Sequence, residues 1–472
     1  MIIGREKEQE LLKGLMKSSN SQFVAVYGRR RIGKTFLIRE SFHYRFTFQH
    51  SGIYNGNRSE QLFAFAASLK DAGLDSCPVP ENWMQAFELL KDLIRQSHEE
   101  KKVIFIDELS WMDTPKSKLI MALEHFWNGW ASGRQDIVLI ICSSVTSWMI
   151  NKVIHDKGGL YHRLTDRIYL APFTLHECEL YSKAMGLAMT RQQILEAYMI
   201  MGGVPYYWSH LKKGLSLSQN VDQMFFAEDA SLYEEFEHLF SSLFRNPEEY
   251  MRIIKALAGK QSGMTRNELL AETGIDGSGS FSGKLEELEK CGFIRTYSSF
   301  GKKKKDTMHQ LIDPYTLFYF HFLAKKPKDE HYWTNQLNTP VRNVWNGLAF
   351  ERVCMWHTNN IKKALGISGV LTDICSWSCV TDPDKGLLGS QIDMIIVRKD
   401  QVINLLEMKY SSAPYAITKK TNADLLRKRS DFIIATGTRA AIHLTMVTPF
   451  GIVRNSYAGD IQSEITAEDL FA

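Results

Sequence analysis

Long apolar runs are missing from this sequence: none approaches the roughly 20 residues that carry a helix across a bilayer, so no helical membrane span is expected. The opening stretch, MIIGREKEQELLKG, turns charged within a few residues and has no apolar signal core. A cytoplasmic location is therefore expected. Cysteine is scarce. The seven present are odd in number and show no disulfide-like spacing, which fits a reducing compartment. Neither sign of charge dominates, since 57 Lys and Arg stand against 53 Asp and Glu, leaving +4. That balance alone does not indicate nucleic acid, and any basic surface has to be local. Internal repeats and low-complexity linkers are absent too. What remains is an ordinary globular composition, 44% hydrophobic and 23% charged, over 472 residues. That length is too great for one core, so about two to four domains are expected.

The pattern changes character along the chain. Up to about residue 170, short β-rich runs alternate with helical stretches. The runs are Phe23–Tyr27, Arg45–Gln49, Val103–Ile106, Val138–Cys142 and Ile168–Leu170. Strands separated by long helical stretches predict a parallel sheet with helices on its faces. Residues 173–245 read as helical. Residues 246–325 read as a helix-turn-helix followed by a hairpin. Residues 335–472 show a second α/β pattern, with Gln391–Val397 and Val402–Met408 as adjacent strands. The overall fold class is α/β.

The first functional signal is Gly28-x-x-x-x-Gly33-Lys34-Thr35, the full phosphate-loop pattern, following a strand and opening a helix. Glycines let the backbone turn tightly so that its N–H groups cradle phosphates, and the helix N-terminus favours the anion. Lys34 would reach the β- and γ-phosphates, and Thr35 would ligate Mg²⁺. The expected nucleotide contacts are Gly28, Arg29, Arg30, Arg31, Ile32, Gly33, Lys34, Thr35 and Phe36. A second run, Lys102–Asp107, is an apolar strand ending in Asp107-Glu108. Such a strand end is where ligands bind in open α/β sheets. Asp107 would hold the Mg²⁺ shell, and Glu108 would orient or deprotonate the attacking water. The strand Ile137–Cys142 ends in Ser143-Ser144, where a hydroxyl can sense the γ-phosphate. Ser144 is the better candidate, and a helix cap competes for Ser143. Arg163, before a short strand, is a candidate arginine finger for a neighbouring copy, with a plain surface arginine as the competing role.

Gly4-Arg5-Glu6 before a helix, GRRRIGKT, FIDEL, CSS and Gly202-Gly203-x-Pro205 together resemble the archaeal-type ATPase family of the AAA+ class, related to origin-recognition ATPases. The resemblance covers roughly residues 1–260. It implies ATP as the ligand, an AAA+-like core over residues 1–172, a helical lid over 173–245, and a homo-oligomer as one form of assembly. Many members carry Gly-Ser where this chain has Ser143-Ser144, and often Gly where it has His162.

Downstream, Thr265-x-x-Glu268 is a capping box, Gly274 ends its helix, and a third helix runs from about Phe281 to Cys291. Strands near Phe293–Ser298 and Met308–Ile312 flank Lys302–Lys305. Three helices and a basic-tipped hairpin predict a winged helix, presenting Ser280, Ser282 and Lys284 from its third helix and four lysines from its wing to DNA. Packing or protein interaction is the competing role of such a module.

In the last segment, alternation puts Glu407 and Lys409 on one strand face. If the strands pair, Asp393 and Glu407 can share Mg²⁺ with Lys409 beside the activated water. Bare Glu-x-Lys is common, and Glu99-x-Lys101 and Glu100-x-Lys102 match as well. With Glu351 on a preceding helix, the set resembles the PD-(D/E)xK nuclease superfamily. It also resembles the domain that often follows archaeal-type ATPases. The resemblance implies a restriction-endonuclease-like domain, with Asp393, Glu407 and Lys409 catalytic, Glu351, Asp393 and Glu407 on the metal, and Lys419 near phosphate. Related domains usually have Glu where this chain has Gln391. Cys354, His357, Cys375 and Cys379 do not form a zinc set. Strand residues four apart lie about 13 Å apart, so buried free cysteines are expected. Trp127, Trp130 and Trp148 are read as core.

The function expected is ATP binding and hydrolysis, DNA binding through the winged helix and Mg²⁺-dependent cleavage by the last domain. The alternative is an ATP-gated switch whose inactive C-terminal domain binds a protein partner or promoter.

Overall fold

The computed structural model describes every residue except 156, 157, 161, 245, 278 and 302–305. The chain divides into two compact units. One comprises Met1–Pro172 with Leu239–Arg245, and the other Phe173–His238 with Asn246–Ala472.

The first unit is built on five parallel strands: β1 Gln22–Tyr27, β2 Phe48–Ser51, β3 Lys102–Asp107, β4 Ile137–Ser143 and β5 Asp166–Tyr169. Their order is β2-β3-β4-β1-β5. Parallel neighbours require crossovers, and the intervening helices supply them. Side-chain alternation explains why β1, β3 and β4 read as continuous apolar runs. Phe23, Ala25, Ile104, Ile106, Leu139 and Ile141 feed the core on one face. Val24, Val26, Val103, Phe105, Ile140 and Cys142 feed the core on the other. A strand covered on both faces cannot afford a polar side chain on either. Each large aliphatic or aromatic side chain so buried contributes about 1.5–3 kcal/mol. Trp127 is 3% exposed within the first of these cores, and Trp130 and Trp148 pack against it half-buried.

Two strands differ from expectation. β2 starts at Phe48, not Arg45, because His43 and Tyr44 take left-handed φ values of 52° and 58° and Arg45 closes that turn onto Phe42 at 2.9 Å. β5 covers Asp166–Tyr169 and ends before Leu170.

The second unit begins with helices at Leu175–Met185, Arg191–Met201 and Leu217–Phe225. Gly203 explains its place in the sequence motif: a Cβ there would fall 1.8 Å from the Phe173 carbonyl oxygen. Further helices lie at Pro247–Gly259, Arg266–Thr273 and Gly279–Lys290. Thr265 and Glu268 form the expected capping box, and Gly274 ends that helix at φ 63°. Strands β6 Met264–Thr265, β7 Ile294–Ser299 and β8 Met308–Leu311 make a small antiparallel sheet. The remaining strands are β9 Thr372–Cys379, β10 Ser390–Arg398, β11 Val402–Met408, β12 Ala441–Val447 and β13 Ser463–Ile465. β9, β10 and β11 run antiparallel, while β11, β12 and β13 are parallel. β7 joins β9 through Ser298 and Ser299, giving one eight-stranded mixed sheet, β13-β12-β11-β10-β9-β7-β8-β6. All seven cysteines are free; six are buried, and Cys379 is half-buried. No helix among the described residues is long and apolar enough to cross a membrane.

Candidate nucleotide site and a second polar cluster

The phosphate loop starts where β1 ends. Gly28 has φ +147°, and a Cβ there would sit 2.3 Å from the Leu170 carbonyl oxygen, so the approach of the two backbones requires glycine. Ile32 packs beneath it, 1% exposed. Arg31 and Gly33 both take left-handed φ, 75° and 86°, and turn the chain into the helix Lys34–Ser41. The first turn of that helix presents N–H groups without intrahelical partners to the loop. Arg29 is buried, Arg30 and Arg31 are half-buried, and Phe36 is 48% exposed.

Lys34 is only 5% exposed. Its ammonium donates to the carbonyls of Gly28 at 2.9 Å and Arg29 at 3.0 Å, and to Ser144 Oγ at 3.2 Å. Phosphate oxygens would offer this cation stronger, charge-assisted partners than neutral carbonyls do. Thr35 Oγ1 donates to Asp107 Oδ2 at 2.6 Å, bringing a hydroxyl and a carboxylate to one point. That all-oxygen pair fits Mg²⁺, which takes few protein ligands and completes its shell with phosphate and water.

Glu108 follows in a left-handed conformation, φ 46°. Its own N–H bonds Asp107 Oδ1 at 3.0 Å. Its carboxylate accepts the Ser144 N–H at 2.9 Å and also the Ser144 hydroxyl. Ser144 thus touches both Lys34 and Glu108. Ser143 points elsewhere and donates to Ser110 Oγ at 2.9 Å. Arg163 is exposed on the turn before β5, outside this cluster. Arg5 gains a place that its motif alone did not give. Buried to 6% exposure, it donates to the Ala171 carbonyl at 2.6 Å, one residue beyond the carbonyl that crowds Gly28.

Residues 2–211 match the family model of an ATPase domain predominantly from Archaea. These residues are similar to an archaeal-type ATPase domain. A protein of Methanocaldococcus jannaschii described as uncharacterized is 25% identical over 434 residues, covering 91% of this chain and 92% of its own length. Among solved structures, the Walker-type ATPase of Pyrococcus abyssi is 16% identical at a TM-score of 0.47, covering 68% of this chain and 96% of that one. The Aeropyrum pernix ORC2 protein is 14% identical at a TM-score of 0.37, covering 68% of this chain and 93% of that one.

Beyond the ATPase domain, the second unit holds the other expected site. Asp393 lies at a β-bulge: Ile392 pairs with Trp377 while Ile395 pairs with Cys375, so β10 carries an extra residue there. Bulges re-aim side chains, and Asp393 Oδ1 accepts from Gln391 Nε2 at 2.7 Å. Glu407 is bracketed by two ammonium groups, Lys409 at 2.8 Å on one oxygen and Lys428 at 2.7 Å on the other. Burial pushes the Glu407 carboxyl up, but Lys428 and Lys409 outweigh it and hold it below the usual range. Glu351, on the helix Pro340–Trp356, faces the same group. Burial raises its pKa to about 7, and the Asp393 charge adds to the rise.

Glu351, Asp393, Glu407 and Lys409 therefore share one electrostatic neighbourhood, as the sequence pattern implied. The expected metal set is a different matter. Among the described residues no three His, Cys, Asp or Glu side chains converge on a metal position. Glu407 pairs with two lysines and Asp393 accepts from Gln391. Lys428 carries no sequence signal of its own, because it reaches Glu407 from 21 residues away on the helix Lys419–Thr436. Lys419 is exposed at the start of that helix. Ser280 and Ser282 are exposed, with Ser282 accepting from Arg266 at 3.0 Å. Lys284, expected on the DNA face, pairs with Glu249 at 3.1 Å. Lys302–Lys305 lie outside the described residues.

Glu351 gives a signed prediction. Its folded pKa of about 7 exceeds the ordinary 4.5, so between those values the folded state binds more protons and stability falls as pH rises. Glu351→Gln should raise the thermal midpoint at pH 8 and leave it nearly unchanged at pH 4.5. The ceiling is roughly 3 kcal/mol, at about 1.4 kcal/mol per pKa unit. An equal shift at both pH values would show that Glu351 is not the cause.

Proposed function

We propose that the chain binds and hydrolyses ATP at Gly28–Thr35 and uses the cycle to switch a DNA-contacting module. The observation that carries the first part is the convergence of Lys34, Thr35, Asp107 and Glu108 at the ends of β1 and β3. Lys34 binds the phosphates, and the loop N–H groups neutralise their charge. When Mg²⁺ is bound, Thr35 and Asp107 would hold it, and it supplies further neutralisation. Glu108 orients the attacking water and accepts its proton. Arg163, exposed at the end of a turn, is available to a neighbouring copy. Phosphate release from Mg-ATP by the purified chain tests the reading, with loss of release on Glu108→Gln.

The DNA part rests on the three helices and hairpin of residues 246–325, read as a winged helix with Lys302–Lys305 at its wing. Replacing those lysines with alanine should weaken duplex binding uniformly across sequences. The slope of log affinity against log salt should fall by about 0.9 for each lost phosphate contact. Unchanged affinity and slope, measured by fluorescence anisotropy, would remove the wing from the interface.

A second reading, Mg²⁺-dependent cleavage by a restriction-endonuclease-like C-terminal domain, is supported by the gathering of Glu351, Asp393, Glu407 and Lys409. Lys428 also pairs with Glu407, a contact that the nuclease-like pattern does not include. Cleavage of duplex, single-stranded or branched DNA with Mg²⁺ or Mn²⁺, lost in Asp393→Ala, separates the two. No cleavage by the parent chain leaves the switch.

A further inference from the structure

The loops that leave β3 and β4 are laced together by side chains. The backbone pairing of these strands stops at Ile106 and Ile141. Beyond it, three side-chain pairs join the two loops. Glu108 accepts from the N–H and hydroxyl of Ser144. Ser143 Oγ donates to Ser110 Oγ at 2.9 Å. Trp148 Nε1 donates to Asp113 Oδ2 at 3.0 Å. Ser143 and Ser144 are buried, at 0% and 2% exposure. The Trp148 ring packs against the core under the sheet, so its N–H is a fixed donor. Asp113 is braced from its other oxygen by Ser117 at 3.4 Å.

We infer that this lace positions Glu108 for hydrolysis, with Ser110, Asp113, Ser143 and Trp148 acting through Ser144. The inference rests on the hydrolytic reading of Glu108 given above. Its physical basis is that Glu108 stands just past the end of β3, where the strand ladder no longer fixes the spacing to β4. A general base displaced by about 1 Å can cost on the order of a hundredfold in rate. Two donors from Ser144 hold the carboxylate, and Ser143, the residue before it in the chain, is tied to Ser110. The Ser144 hydroxyl also meets Lys34 at 3.2 Å. The lace therefore spans from the phosphate-binding lysine to the water-orienting glutamate. Ser110, Asp113 and Trp148 sit on the loops that leave β3 and β4, outside the Gly28–Thr35 segment, so a change in them should alter the chemical step and not nucleotide affinity.

The test uses the full chain. Trp148→Phe keeps an aromatic side chain but removes the N–H together with the pyrrole half of the indole, so the Asp113 variants isolate the hydrogen bond itself. Asp113→Ala removes its acceptor, and Asp113→Asn restores an acceptor oxygen. Ser110→Ala breaks the middle pair and guards against a folding defect in the others. The expected result is a roughly five- to tenfold drop in kcat for Trp148→Phe, Asp113→Ala and Ser110→Ala. KM for ATP and nucleotide affinity should stay within about twofold, and Asp113→Asn should sit near the parent. Parent-like kcat in all three, with Glu108→Gln inactive in the same assay, overturns the lace while leaving the hydrolytic reading intact. A parallel loss of nucleotide affinity in folded variants also overturns it. An active Glu108→Gln overturns both.

Discussion

Lys34→Ala is expected to lower ATP affinity at least about a hundredfold. Hydrogen bonds to a charged group contribute about 1.5–3 kcal/mol each, and about 1.4 kcal/mol is a factor of ten in affinity. A lysine that reaches two phosphates therefore accounts for two or more decades. The geometry supports the upper part of that range. Lys34 is 5% exposed, so its ammonium is already desolvated, and the carbonyls of Gly28 and Arg29 that receive it at 2.9 and 3.0 Å would be left without a donor. Titration with a fluorescent ATP analogue measures the effect. Affinity within threefold of the parent would mean that Lys34 does not reach the phosphates.

Glu108→Gln should separate binding from turnover. Removing a positioned general base typically costs about 10²–10⁴ in rate. The amide oxygen of glutamine can still accept from the Ser144 N–H that now lies 2.9 Å from the carboxylate, so the loop keeps its shape. The variant should bind Mg-ATP as tightly as the parent and release phosphate at least a hundredfold more slowly. Equal turnover would transfer the water-orienting role to another group, and a collapse of binding would make Glu108 a structural residue of the loop.

The nucleotide site was legible because its parts are local. Gly28, Gly33, Lys34 and Thr35 fall within eight residues, and the strand before them and helix after them each announce themselves by pattern. β1, β3 and β4 were legible for a related reason: both faces are buried, which forces an unbroken apolar run. Asp107 and Glu108 followed from the chemistry that a phosphate loop demands. Long-range pairings carry no such mark. Nothing near Ser144 in the sequence announces that it holds Glu108 from 36 residues away. The bracket that Lys428 places on Glu407 is hidden in the same way, since a helix lysine reads as a solvated charge. So is the pairing of Lys284 with Glu249. The junction of β7 with β9 is two residues long and merges two segments that read as separate modules. β2 shifted for a subtler reason: left-handed conformations at His43 and Tyr44 come from neither glycine nor asparagine, the residues that usually signal them.

The fold gathers Lys34, Thr35, Asp107, Glu108 and Ser144 at the carboxyl ends of β1, β3 and β4, and the sequence motifs single out the same residues. The most direct measurement is phosphate release from Mg-ATP by the parent chain and by Lys34→Ala, purified in parallel and assayed at saturating nucleotide. Steady turnover by the parent with background release by Lys34→Ala is the predicted result. Equal release by the two preparations, or a parent chain that neither binds nor hydrolyses ATP, would contradict it.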